Sequence, residues 1–202
     1  MKKILFSLTA LALCAMMFTS CKKDKNDDDE PGLLSPQMTA SLSGSSNASF
    51  STTQAFSYTS SGSKLLATFS DIFSGGTTLF LGKASNGKLG IIVKGSESGT
   101  YDTEIPNAQS AIIQYLTNKT LPTGTIEALI IYDATSTDEN SVSENYYISY
   151  DASVSITTTK ISSITYTNGS FSGTLINKAG DKFTLSSGVL KNIYGYEKSQ
   201  SK

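Results

Sequence analysis

From Leu42 to Ile193, short runs in which apolar and polar residues alternate are broken at intervals of roughly ten residues by Gly, Asn, Asp or Ser. This cadence constrains the chain more than any other feature. Successive side chains on a strand point to opposite faces, so a run of period two buries one face and wets the other. Many such runs joined by tight turns predict an all-β domain, an antiparallel β-sandwich or β-barrel. Lys64 to Ser70 reads as one strand, with Leu65, Ala67 and Phe69 set against Leu66, Thr68 and Ser70. Thr77 to Lys83 follows a Gly75-Gly76 turn, and Lys88 to Lys94 follows Asn86-Gly87. Asn-Gly between two such runs predicts a type I′ hairpin turn, whose two central residues both need positive φ, and hence antiparallel pairing. Further on, Ile126 to Asp133 is an apolar run of the buried-strand type and Tyr146 to Tyr150 alternates. Ile161 to Thr167 leads into a second turn at Asn168-Gly169, and Ser170 to Ile176 and Lys182 to Ile193 complete the set. One stretch departs from the pattern. In Asn107 to Thr117, Ala108, Ala111, Ile112, Tyr115 and Leu116 fit a short helix, while the β-branched pair Ile112-Ile113 fits a strand, and both readings stand.

The chemistry open to such a domain is narrowed by what the 202 residues omit: the sequence has no His, no Arg and no Trp. Without His there is no Ser-His-Asp or Cys-His nucleophile pair and no imidazole metal ligand. Without Arg there is no bidentate fork for phosphate, carboxylate or guanine. A formal charge of -1 and the lack of a basic run argue against nucleic acid as a partner. Charged residues make up 16% of the chain, against roughly a quarter in an average soluble domain. Ser, Thr and Gly take their place, as suits strands and turns better than surface helices.

Residues 1–20 have the form of a secretory signal: Lys2 and Lys3, an apolar stretch from Ile4 to Phe18, then small residues before Cys21. The stretch is short for a membrane span and runs into a strongly polar segment. Phe18-Thr19-Ser20-Cys21 resembles a lipobox, with Phe18 where Leu is more usual. The resemblance implies cleavage before Cys21 and a diacylglycerol thioether on its sulfur, an anchor of two or more acyl chains. Cys14 falls in the removed segment, so no disulfide is expected. Residues 21–38 then form a charged tether, Lys22-Lys-Asp-Lys-Asn-Asp-Asp-Asp-Glu30 at its core, too polar to bury and expected to stay disordered. Acidic residues after the lipidated Cys resemble the export signals of Bacteroidetes lipoproteins displayed on the outer face of the outer membrane; the periplasmic face is the alternative. Asp24-x-Asn26-x-Asp28 echoes a calcium loop, but Asp29 stands where Gly is required and Ser35 where a bidentate Glu is expected, so it reads as a solvated spacer.

Residues 39–202 form the single all-β domain. Its runs Leu89-Gly-Ile-Ile-Val, Gly99-Thr-Tyr101, Ser153-Val-Ser-Ile-Thr, Gly169-Ser-Phe-Ser-Gly-Thr-Leu and Gly180-Asp-Lys-Phe-Thr-Leu-Ser-Ser-Gly-Val-Leu resemble a family of uncharacterised Bacteroidetes lipoproteins, from about Lys64 to Ile193. The resemblance implies an all-β lipoprotein and carries over no site residues.

Several local patterns invite a site. Ser61-x-x-Lys64 and Ser85-x-x-Lys88 have the spacing of a lysine-activated serine, but they fall at turns and lack the companion motifs. Asp102 and Glu104 share a strand face, as solvated carboxylates commonly do, whereas glycosidase pairs flank a cleft from different elements. Leu121-Pro-Thr-Gly124 reads as a turn. Tyr146 and Tyr150 also share a face and are the candidate ligand-binding residues, because an exposed Tyr offers apolar area with a hydroxyl. The expectation is a non-catalytic module, lipid-anchored at Cys21, that needs no cofactor or metal and binds a glycan or protein. The alternative is a structural or adhesive subunit that assembles through strand edges.

Overall fold

A computed structural model describes residues 33–44, 47–59, 64–73, 75–136, 138 and 141–195. Cys21, the signal segment, the calcium-like spacing at residues 24–28 and Ser61 lie outside the described residues. In chain order the elements are β1 (Gln37–Gly44), β2 (Ala48–Thr52), β3 (Gln54–Thr59), α1 (Lys64–Phe69), β4 (Thr77–Ala84), β5 (Gly87–Lys94) and β6 (Gly99–Glu104). There follow α2 (Ala108–Asn118), β7 (Thr125–Ile126), β8 (Ala128–Asp133), β9 (Tyr147–Ser149), β10 (Ser153–Ile161), β11 (Ile164–Ile176) and β12 (Lys182–Tyr194). β1 takes in Gln37 and Met38, the last two residues of the segment read as tether, and Met38 is fully buried.

The all-β expectation is met by one antiparallel sheet bent almost into a barrel. Its main path runs β2-β1-β12-β11-β9-β8-β5-β4-β3, while β10, β6 and β7 branch from β11. The two ends of the path, β2 and β3, are consecutive in the chain with only Thr53 between them, and Ser57 of β3 bridges to Gly195 just beyond β12. Gly82 lies where the first hairpin crosses β4: a Cβ there would come within 2.8 Å of the Met38 sulfur. The interior is filled by side chains, among them Met38, Phe50, Phe80, Ile91, Ile130, Phe171 and Leu185.

A second apolar layer lies outside the barrel. Leu79, Leu81, Ile92, Leu129 and Ile131 point away from the interior and meet Leu65, Leu66 and Phe69 of α1 and Ile112 and Tyr115 of α2. The central strands β5 and β8 are therefore buried on both faces, which is why they read as unbroken apolar runs. Each fully buried Leu, Ile or Phe contributes about 1.5–3 kcal/mol relative to exposure.

Three local expectations are corrected and one open alternative is resolved. Lys64 to Phe69 is a helix, with Leu65, Leu66 and Phe69 buried. The adjacent pair Leu65-Leu66 suits a helix face and cannot share one strand face. The Asn107 to Thr117 alternative resolves as helix α2, closed by Lys119 at φ 61 with its N–H on the Tyr115 carbonyl. Asn86-Gly87 does join an antiparallel pair, but the turn residues are Ser85 and Asn86, and only Gly87 has positive φ. Asn168-Gly169 is no turn, because β11 runs straight through it and the hairpin to β10 closes at Ser162-Ser163. There β12 carries an extra residue at Asn192, φ 53, whose N–H donates to Asn168 Oδ1 at 2.9 Å. Gly169 has no room for a side chain against the Ser155 carbonyl. A second bulge on β12 centres on Ser187, φ 52. Such bulges add the local twist that lets strands of 13 residues wrap a barrel.

Candidate functional site

Apolar runs in β5 and β8 each end on a charged residue, and the antiparallel register places these two, Lys88 and Asp133, opposite each other. Both are fully buried, with Lys88 Nζ 3.6 Å from Asp133 Oδ2. The segment after β8 folds back over the pair. Asp133 Oδ1 accepts from the Thr135 N–H at 3.1 Å, the Thr135 hydroxyl at 3.0 Å and the Ser143 hydroxyl at 2.8 Å, and Oδ2 accepts from the Ser143 N–H at 2.8 Å. Lys88 Nζ donates to the carbonyls of Asp138, at 2.8 Å, and Ser141. Burial alone would push the Asp133 carboxyl up, but the bonds from Ser143 and Thr135 outweigh it and hold the group below its ordinary value. Burial lowers the Lys88 ammonium, with Asp133 and Asp138 acting against the shift. Six hydrogen bonds and an ion pair thus converge on two buried charges, and no sequence motif marks them. The Ser-x-x-Lys spacing offers Lys88 only as a partner for Ser85, whereas its side chain is committed to Asp133 and two carbonyls. Through these bonds the pair holds Thr135, Asp138, Ser141 and Ser143 against the ends of β5 and β8.

Tyr146 and Tyr150 do lie on one side of the sheet, the outer face, where both pack against the second apolar layer. Tyr147 between them joins the interior, stacked edge-on to Phe183 at 4.8 Å. Tyr146 meets Phe69 edge-to-face at 5.7 Å, and its phenol is raised by burial and by Asp71. Asp71 also accepts from the Tyr115 hydroxyl at 3.3 Å, and the Tyr115 phenol is raised by burial first and by Asp71 second. Tyr146 is thus part of the packing under α1. Tyr150 sits nearer the surface, with Lys182 Nζ 5.8 Å from its ring centroid, and that ammonium donates to Gln109 Oε1 of α2 at 2.7 Å. Next to it the exposed Asp151 carboxylate accepts from the Thr174 N–H and, at 2.9 Å, from the Thr174 hydroxyl. Gln109, Tyr150, Asp151 and Lys182 form one polar patch around a half-exposed ring.

The remaining candidates stay apart. Asp102 and Glu104 are exposed on the outer face of β6, with buried Thr103 between them. Leu121 to Gly124 is irregular, and Gly124, φ 124, passes close to the Glu104 carbonyl. A shallow groove of about 620 Å³ lies where β2 parts from the β4–β5 hairpin, lined by Ser51, Thr52, Thr53, Gln54, Lys83, Ala84 and Ser85. Among the described residues no group of three or more acidic or Cys side chains could hold a metal, and no helix is long and apolar enough to cross a membrane. Comparison with protein-family models, with curated proteins and with solved structures finds no match.

Proposed function

We propose that the protein is a lipid-anchored module of the cell envelope that binds a ligand on the outer surface of its barrel and carries out no chemistry. The observation that carries this reading is the filled interior: with Phe50, Phe80, Ile130 and Phe171 packed inside, a ligand has only the outside to meet. The lipobox-like Phe18-Thr-Ser-Cys21 supplies the anchor, and the acidic stretch after it favours the outer face of the outer membrane over the periplasmic face.

On that surface, the patch around Tyr150 has the chemistry to bind a glycan: a ring face for the apolar side of a sugar, with amide, ammonium and carboxylate groups for its hydroxyls. Tyr146, half-buried against Phe69, belongs to the apolar layer under α1 and lies outside this patch. The alternative, assembly through strand edges, finds less support. β6 pairs with β10 only from Ser153 to Ile156, so Thr157 to Ile161 extends as an edge. The Thr158 N–H is taken by Ser98 Oγ at 2.9 Å, and Lys160 adds a charge; both features blunt an edge.

The test is glycan-array binding of the purified protein, wild type against Tyr150→Ala, together with membrane fractionation of Cys21→Ser. The reading expects Tyr150→Ala to weaken binding by about tenfold or more, as loss of a ring anchor does, and Cys21→Ser to release the protein from membranes. Array binding that ignores Tyr150, or a Cys21→Ser variant that stays with membranes, would overturn the corresponding half.

A further inference from the structure

The outer face of the barrel changes character towards one end. Outward positions along β10 are Ser153, Ser155, Thr157 and Thr159, then Ile161; on β11, Ser172 and Ser170 give way to Tyr166 and Ile164. Ile161 pairs with Ile164, Thr159 with Tyr166, and Tyr166 with Tyr194 of β12. The Tyr194 ring lies 5.8 Å from Tyr166 and 6.0 Å from Phe56 of β3, so an aromatic band spans three strands just behind the two isoleucines.

The segment leading into β1 also packs at this end. The Leu34 N–H donates to the Tyr166 hydroxyl at 3.4 Å, and Asn192 Nδ2 donates to the Ser35 carbonyl at 3.4 Å. Leu33 and Leu34 are 57% and 40% exposed, and Ile161 is 41% exposed. These are three of the five large apolar side chains that stand most exposed among the described residues, the others being Leu121 and Val189. Elsewhere the outer face of β10 and β11 is hydroxyl-bearing, so the concentration of leucine and isoleucine here is local. Lys160 adjoins Ile161, and its long stem can lie along apolar surface while the ammonium reaches polar headgroups.

We infer that this end of the barrel seats on the bilayer, with Leu33, Leu34 and Ile161 entering the boundary between headgroups and acyl chains and Tyr194 lying behind them. The inference rests on lipidation at Cys21. Cys21 precedes Leu33 by twelve residues, a reach of about 40 Å at most, so the lipid holds this end, before any other, within range of the membrane. Apolar tips too few to bind a membrane from solution suffice once a covalent tether has raised their local concentration. Seating would fix the orientation of the domain and turn the Ser/Thr face of β10 to β12 outward.

The absence of Trp makes the test direct, because a single introduced indole is the only one in the chain. Mature lipidated protein carrying Ile161→Trp is reconstituted into phosphatidylethanolamine–phosphatidylglycerol vesicles, with and without bromine near the ester end of the acyl chains. Val189→Trp, at an exposed position on the wall of β12, is the reference variant. The expected result is a blue-shifted indole emission from the Ile161→Trp variant, quenched about twofold or more by the brominated lipid, with the emission of the Val189→Trp variant unaffected. Membrane-bound protein in which both variants are quenched to the same extent would overturn seating while leaving the anchor intact. A blue shift in the Ile161→Trp variant that grows with surface density without bromine quenching would overturn it in favour of contact with a second copy. Failure of the protein to remain with the vesicles would remove the lipid anchor, and seating with it.

Discussion

The two halves of the barrel wall are built from the same kind of strand but differ in what covers them. β4, β5 and β8 have the packed interior on one side and the helices α1 and α2 on the other, and nearly every residue of β5 and β8 is buried. β10, β11 and β12 have the interior on one side and, apart from Tyr166 and Ile176, mostly solvent on the other, and alternate Val154, Ile156, Leu185 and Leu190 with Ser, Thr and Lys. The first half gains rigidity and uses it to hold charged and aromatic groups at its ends, Lys88 with Asp133 and Tyr146 with Phe69. The second half presents a hydroxyl-bearing surface along β10 and β11. Coverage rather than strand chemistry separates scaffold from surface.

Mutations should break along that divide. Phe69→Ala removes the ring that joins α1 to the outer layer and to Tyr146, and should cost about 3–5 kcal/mol in chemical denaturation. Asp133→Ala, at the end of the covered half, should cost about 3 kcal/mol or more, because it leaves the Lys88 ammonium buried without its counter-ion. Hydrogen exchange of the Thr135 and Ser143 amides, both bonded to Asp133, should rise in that variant even where the barrel amides remain protected.

The same carboxylate sets an acid limit. Its folded-state value lies below the ordinary 3.8, so its contribution is complete above the unfolded value and is lost as the pH falls through the depressed folded value. The melting temperature of the wild type should fall in that acid window, and Asp133→Asn should flatten that part of the profile. Equal acid sensitivity in the two proteins would move the titration to other carboxylates.

Smaller effects sharpen the comparison. Thr78 of β4 is buried with no partner for its hydroxyl, so Thr78→Val should be neutral or stabilising by up to about 1 kcal/mol. On the solvent side, Ser155→Thr and Ser170→Thr should change stability by no more than about 0.5 kcal/mol. A large loss at Ser155 or Ser170 would mean that the hydroxyl-bearing face is covered after all.

The same divide explains what the sequence makes legible. Alternation in β10 and β12 and the apolar runs of β5 and β8 identify strands and their buried faces directly, because burial selects side chains residue by residue. Asn-Gly is less informative. Asn86-Gly87 joins a hairpin, while Asn168-Gly169 sits inside β11 opposite a bulge, since in both places the glycine answers a neighbouring carbonyl, of Asp133 or of Ser155, and only one of these lies at a chain reversal. The six-residue α1 escapes a period-two reading because so short a stretch fits both periods, and only the Leu65-Leu66 adjacency tells them apart. Lys88 and Asp133 carry little signal of their own: each abuts a five-residue apolar or glycine-bearing run, but Lys94 and Glu127 abut the other ends of the same runs. Their pairing depends on register between β5 and β8, which no local pattern encodes. Tyr146 and Tyr150 share a face as the spacing implies, yet their environments differ through α1 and Lys182, which lie far away in sequence.

The most direct test of this division is native-state hydrogen exchange resolved along the chain. The amides of Leu89 to Val93 and Ala128 to Tyr132 should exchange only through global unfolding, while those of Thr157 to Lys160 should exchange through local opening at much lower free energy. Equal protection of the two sets would contradict the account, since a wall covered once and a wall covered twice would then be equally hard to open.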